Sequence, residues 1–154
     1  MRITILSVGK QKSGPEIELF EDYIDRFQKA GRGLGYRGVE TIDVDSGGGL
    51  DAEADRLLSR IPAGAQCIRL DEHGKSWRST EFSSLIARKR DQGMSDLCFL
   101  IGGAEGYGHA VKSAVPDTMA FGNQTWPHRL VRAMLAEQLY RAASIEAGLP
   151  YHKA

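Results

Sequence analysis

An α/β domain of three layers, with a mostly parallel sheet at its centre, is the fold that three features of this sequence predict. Runs of apolar and β-branched residues alternate with helical patterns about five times along the chain, the order of a parallel sheet covered by helices. The run Leu97-Cys-Phe-Leu-Ile101 is apolar without interruption and stops at Gly102 and Gly103, as a central strand buried on both faces does. A chain of 154 residues is enough for one hydrophobic core without disulfide or metal staples, so residues 1–154 are expected to form a single domain.

The elements follow in order. Arg2 to Val8 is apolar and β-prone and ends at Gly9, which predicts a first strand, and Lys10 to Gly14 is a polar loop. Pro15 suits a first helical position, with Glu16 and Glu18 in the first turn, where the helix dipole favours anions. Ile17, Phe20, Ile24 and Phe27 recur at spacings of three and four and mark its core face. Gly31 to Gly38 ends that helix in a surface connection, and it lacks the Gly-Lys-Ser/Thr ending with which a phosphate loop reaches phosphates and magnesium. Val39 to Val44 predicts a second strand, Ser46 to Gly49 a loop, and Leu50 to Ile61 a helix stopped by Pro62. Cys67 to Leu70 predicts a third strand, closed by the polar stretch Asp71 to Lys75. Ser79 to Asp91 predicts a helix capped by Ser79, with Phe82, Leu85 and Ile86 on its apolar face. After the central strand come a short helix from Tyr107 to Ala114, a short strand from Asp117 to Phe121, and the longest helix, from Arg129 to Ala147. Val131, Met134, Leu135, Leu139, Ala142 and Ile145 give this last helix a stripe wide enough to cover the sheet and to permit a dimer contact.

Composition narrows the function classes. Hydrophobic residues at 42% and charged residues at 26% are ordinary for a soluble globular protein, which argues against disorder and fibrous classes. Met1 to Gly9 lacks the apolar core and cleavage site of a secretory signal, and no apolar run approaches the ~20 residues that span a bilayer. A cytoplasmic protein with no membrane contact is expected. Cys67 and Cys98 sit singly in apolar runs and read as buried free thiols, and no Cys or His cluster suggests a metal. A formal net charge of 0 argues against a protein that grips nucleic acid through a general electrostatic field, so any such contact is local. Charge is nevertheless segregated: Glu16, Glu18, Glu21, Asp22 and Asp25 crowd one segment, while Arg129, Arg132, Arg141 and Lys153 gather near the other end.

In parallel sheets ligands collect beyond the carboxyl ends of the strands, which here are Gly9-Lys10, Asp71-Glu72, Gly102 to Gly106 and Gly122 to Trp126. The stretch Leu100-Ile-Gly-Gly-Ala-Glu-Gly-Tyr-Gly108 lets backbone come close to a ligand, and Glu105 reads as a helix-start carboxylate. It is not a clean Gly-x-Gly-x-x-Gly, and it lies too late in the chain for the first βαβ unit of a dinucleotide domain. A tight turn without a ligand and a dinucleotide-binding oxidoreductase both stay open on these glycines alone.

Taken together, Gly102-Gly-Ala-Glu-Gly106 after a Phe-Leu-Ile strand, Pro127-His-Arg-Leu-Val-Arg132, Glu137-Gln-Leu-Tyr-Arg-Ala142 and Pro150-Tyr-His-Lys153 resemble the RlmH family. These are small SPOUT-class methyltransferases that act on ribosomal RNA, and the likeness extends over essentially the whole chain, including Ile5 to Gly9, Leu70-Asp71 and Gly74 to Trp77. The resemblance implies a C-terminal trefoil knot of the SPOUT (α/β-knot) kind, a homodimer, and S-adenosyl-L-methionine as cofactor. Such a knot is a rare exception to unknotted connection. Carried over by position, cofactor contacts fall at Leu70, at Gly102 and Gly103, and along Phe121, Gly122, Asn123, Gln124, Thr125 and Trp126. Trp126 either packs against the cofactor or fills core. The implied target is N3 of a pseudouridine in 23S rRNA, and the neutral charge points to the assembled large subunit or whole ribosome as substrate.

Methyl transfer from a sulfonium is an in-line displacement, so catalysis is mainly positioning, with help for the N3 proton to leave. His128 and Arg132 at the helix entrance, and Tyr151 and His152 in the tail, are the candidate catalytic groups, with the tail acting in the same chain or across a dimer. A helix-capping role for His128 stays equally open. Arg129 and Lys153 are the candidate RNA contacts. A non-catalytic ribosome-binding module is the remaining alternative.

Overall fold

The computed structural model describes residues 1–153; Ala154, which the single-domain expectation includes, lies outside the described residues. Five strands, β1 (Arg2–Val8), β2 (Val39–Val44), β3 (Gln66–Leu70), β4 (Asp96–Ile101) and β5 (Thr118–Met119), form one sheet in the order β2-β1-β4-β3-β5. Every pairing between these strands is parallel. Strand β4 is buried along its whole length, which is why its sequence shows no polar alternation.

Helices cover both faces. On one side α1 (Pro15–Gly31), α3 (Ser79–Asp91) and α5 (His128–Ala147) pack over Ile3, Ile5, Ile68, Phe99 and Ile101. On the other, α2 (Leu50–Arg60) and α4 (His109–Ala114) pack over Leu6, Val8, Cys98 and Leu100. Odd and even residues of β1 thus serve separate cores, the period-two alternation of a strand expressed as two layers. Helix α5 leaves the β5 edge and returns across the first face to lie against α1 and α3.

Local expectations needed three corrections. Ser79 is the first residue of α3 rather than its cap; its hydroxyl donates to Gln138 of α5 at 2.8 Å, and the Glu81 carboxylate instead accepts the Arg78 amide at 2.8 Å. The connection from Gly31 to Gly38 is more than a surface loop, because Tyr36 is buried in it and donates to Glu146 at 3.0 Å. Helix α4 starts at His109, so Glu105 lies in the turn before it and is not a helix-start carboxylate. For Ser79 and Tyr36 a partner distant in sequence, invisible to local pattern, decided the outcome.

Candidate active site

Beyond the carboxyl ends of β3, β4 and β5 the chain encloses a cavity of about 720 Å³. Leu70, Ile101 and Met119 form its apolar floor, the turn Gly102–Tyr107 one wall, and Phe121–His128 the wall opposite. Asp71, Glu72 and His73 line a third side. Its size is that of a site for a nucleoside-sized ligand.

The glycines shape the first wall. A Cβ on Gly102 would stand 3.0 Å from the Gly106 carbonyl oxygen, and the Gly106 amide donates to Gly103 at 3.1 Å, so the turn closes on itself. Behind it the buried Tyr107 hydroxyl lies 2.8 Å from the Leu70 carbonyl oxygen and 2.7 Å from that of Leu100, and its one proton ties the ends of β3 and β4 together. Burial holds that hydroxyl well above its ordinary pKa, so it stays a donor. Arg69 backs the same corner: it pairs with Asp71, donates to the Val115 carbonyl at 2.8 Å and lies over the Tyr107 ring.

The second wall is exposed and lightly held. The Trp126 indole donates to the Phe121 carbonyl at 3.0 Å, and the Thr125 hydroxyl donates to Glu72 across the cavity mouth. Trp126 is 37% exposed, so it does not fill core and presents its ring at the cavity. The segment that leads into this wall approaches the loop after β3 closely: a Cβ on Gly74 would stand 2.9 Å from Thr118 Cβ, and the Ala120 amide donates to Lys75 at 2.9 Å.

The structure brings eight of the candidate residues to the cavity lining: Leu70, Gly102, Gly103, Phe121, Gln124, Thr125, Trp126 and His128. Gly122 and Asn123 lie in the same loop, outside the lining, and Arg129 is exposed beside it. His128 is the first residue of α5, with Pro127 in the cap position and no side-chain capping bond, so the capping role is set aside. Arg132 turns away from the cavity. Only 3% exposed, it is ion-paired with Asp43 of β2, and its guanidinium lies 5.2 Å from the centre of the Phe20 ring. This pair clamps the first turns of α5 onto the sheet.

The tail assembles elsewhere. Tyr151 donates to Glu137 at 2.9 Å and packs against Tyr140 with ring centres 4.6 Å apart and planes tilted by 54°. Burial, the Tyr23 hydroxyl and the Glu137 carboxylate hold the Tyr151 hydroxyl above its ordinary pKa, so it too remains a donor. Arg141 is ion-paired with Glu137 and stands 3.2 Å from His152 Nδ1. Because a guanidinium only donates, Nδ1 accepts and Nε2 carries the ring proton. Lys153 is exposed. This cluster sits beside the second half of α5, whereas the cavity lies at its first turn.

Sequence reasoning did not single out Tyr107, Arg69, Asp71, Glu72, Lys112 and Val131, of which all but Arg69 line the cavity. Asp71 and Glu72 were visible as a strand end; Tyr107 was hidden because a tyrosine before a short helix reads as part of it. No group of three or more His, Cys, Asp or Glu able to hold a metal occurs among the described residues. Nor is any helix among them long and apolar enough to cross a membrane.

A parallel α/β domain with a cavity at its strand ends, walled by glycine turns and an exposed loop, defines a nucleotide-cofactor class of protein. The family model described as "Predicted SPOUT methyltransferase" matches residues 1–152. The chain is 61% identical over 154 residues to the ribosomal RNA large subunit methyltransferase H of Hyphomonas neptunium, with 100% of both chains covered. It is 48% identical to the protein of the same name in Dinoroseobacter shibae, with 99% of each covered. A solved structure, the SpoU methyltransferase AviRb of Streptomyces viridochromogenes in complex with AdoMet, aligns at a TM-score of 0.42 and 14% identity, covering 95% of this chain and 58% of that one; a likeness that distant adds nothing to the assignment. The chain belongs to the SPOUT methyltransferase family.

Proposed function

We propose that this chain transfers a methyl group from S-adenosylmethionine to N3 of a pseudouridine in large-subunit ribosomal RNA, as a cytoplasmic homodimer acting on the assembled subunit or ribosome. One observation carries the reading: in a chain 61% identical to a ribosomal RNA large subunit methyltransferase, the loop Phe121–Trp126 walls a cavity at the strand ends.

The residues present fit the cofactor. Apolar side chains at Leu70, Ile101, Met119 and Val131 suit an adenine face, and glycine backbone at 102, 103 and 106 can approach its polar edge. Bound there, S-adenosylmethionine supplies an electrophilic methyl group. The chain's own part is to place the nucleophile and to stabilise the charge that develops as the N3 proton leaves.

His152 Nε2–H is the donor suited to that charge, spreading onto the ring carbonyl oxygens of the target. His128 stands at the cavity rim, and Arg129 and Lys153 carry the exposed cations that meet RNA phosphate.

Distance favours a site shared between two copies. Glu137 and Arg141, which hold the tail, lie about 14 and 20 Å along α5 from His128. A two-fold contact with the α5 helices antiparallel brings each tail to the partner's cavity. Trp126 beside the cavity and Leu149 before the tail, 37% and 42% exposed, are apolar surface for such a contact. The trefoil threading implied by the family resemblance belongs to the same proposal; it would run where the loop after β3 grips the 118–120 segment.

Ribosomes from a strain lacking the enzyme, incubated with the purified protein and labelled S-adenosylmethionine, test the reading. One added methyl group, mapped by mass spectrometry to a large-subunit pseudouridine base, is expected. No incorporation at saturating cofactor refutes the catalytic reading, and a methyl on a ribose or a guanine refutes the target. Efficient methylation of a short isolated stem-loop would refute the assembled substrate.

A further inference from the structure

The cavity carries a negative charge that positioning and proton removal do not require. Asp71 is neutralised by its pair with Arg69 and accepts the His73 amide at 3.0 Å. Glu72, the next residue, has no Lys or Arg within ion-pair distance among the described residues; the His73 ring stands 3.5 Å from its carboxylate. Its carboxylate accepts the Thr125 hydroxyl across the cavity mouth, which fixes its direction at the edge of the ligand space although the side chain stays in contact with solvent. The other rim charges, Glu105 and Lys112, are of opposite sign and exposed like Glu72, but among the described residues no side-chain hydrogen bond or ion pair holds either of them.

Turnover poses a charge problem at this cavity. S-adenosylmethionine and its product S-adenosylhomocysteine share every group except the methyl on sulfur, and the loss of that methyl changes a sulfonium cation into a neutral thioether. Contacts to adenine, ribose and the amino-acid end bind both alike, so they cannot help the product leave. A fixed carboxylate can, because its attraction to the sulfonium exists in the donor and is lost in the product.

Resting on the cofactor reading above, we propose that Glu72, held by Thr125, is a specificity residue that distinguishes the charged methyl donor from the spent product. Its side chain is 41% exposed, so solvent screens it and the discrimination is modest.

Glu72→Gln isolates the charge, because the amide oxygen can still accept the Thr125 hydrogen bond. Calorimetric titration of the wild-type, Glu72→Gln and Glu105→Gln proteins with S-adenosylmethionine and with S-adenosylhomocysteine, at low and high salt, makes the test. Glu72→Gln is expected to lower the ratio of donor to product affinity by roughly threefold to tenfold at low salt, and by less at high salt. Glu105→Gln is expected to leave the ratio as in the wild type. An unchanged ratio in Glu72→Gln, or an equal change in Glu105→Gln, overturns the assignment to Glu72. Wild-type protein that binds neither compound overturns the cofactor reading itself, a result distinct from binding both without discrimination.

Discussion

The two ends of α5 carry similar polar sequence and are built in opposite ways. At its start, the loop Phe121–Trp126 is exposed and held by two side-chain hydrogen bonds, one from Trp126 and one from Thr125. At its end, Tyr151 and His152 are half-buried and bound into a network with Tyr23, Glu137 and Arg141. The pliable wall surrounds a cavity that must admit and release a ligand, and the rigid tail presents groups at a fixed place. Between them, the buried pair of Arg132 with Asp43 anchors the helix from which both are hung.

The largest effect is expected at that anchor. Asp43→Ala leaves the Arg132 guanidinium buried without its counter-charge, which costs about 3 kcal/mol of stability. Urea unfolding measures this, and a loss under about 1 kcal/mol, the range of a surface pair, would remove the anchor from the comparison.

His152→Ala tests the rigid end. Methylation is expected to fall by about a hundredfold with unchanged cofactor affinity, the size of one positioned donor. Mixing this variant with a cavity-blocked Gly102→Val chain sharpens the result. Random reassociation would restore about one quarter of wild-type turnover if each site takes its cavity and tail from different copies. No recovery would place both parts within one chain.

Trp126→Ala tests the pliable end. Because the ring is exposed, stability should change by less than about 1 kcal/mol, while cofactor affinity falls by about tenfold. The reverse pattern, lower stability with intact affinity, would make this loop a structural element.

The smallest effect concerns alkaline pH. Burial, reinforced by the Glu146 carboxylate, raises the Tyr36 hydroxyl pKa above its ordinary value near 10. The native state therefore keeps a proton that the unfolded chain has lost. The stability from this group is complete below pH about 10 and declines as pH rises further. Tyr36→Phe should flatten that decline in denaturation curves taken above pH 10; an unchanged slope would assign it to Tyr107 and Tyr151.

Much of the fold was legible because burial imposes period. Ile17, Phe20, Ile24 and Phe27 had to share one helix face, and the unbroken run Leu97–Ile101 had to be central. The cavity was legible in part, through glycines at strand ends. Arg132 was not, because a charged residue near a helix start reads as solvent-facing or reactive until its partner is known, and that partner lies 89 positions earlier. The position of the tail was equally hidden, since sequence places it near His128 in no sense that local pattern can measure.

The sequence by itself determined the layers, the strand-end location of the cavity and, through whole-length resemblance, the family. Those follow from periodicity and from motifs, which are local properties of a chain. Only the tertiary structure decided that Arg132 is an anchor, that Glu72 is turned across the cavity, and that the tail is fastened far along α5 from the cavity of its own chain. Each of these depends on the direction of a side chain and on a partner distant in sequence, and packing is what sets both.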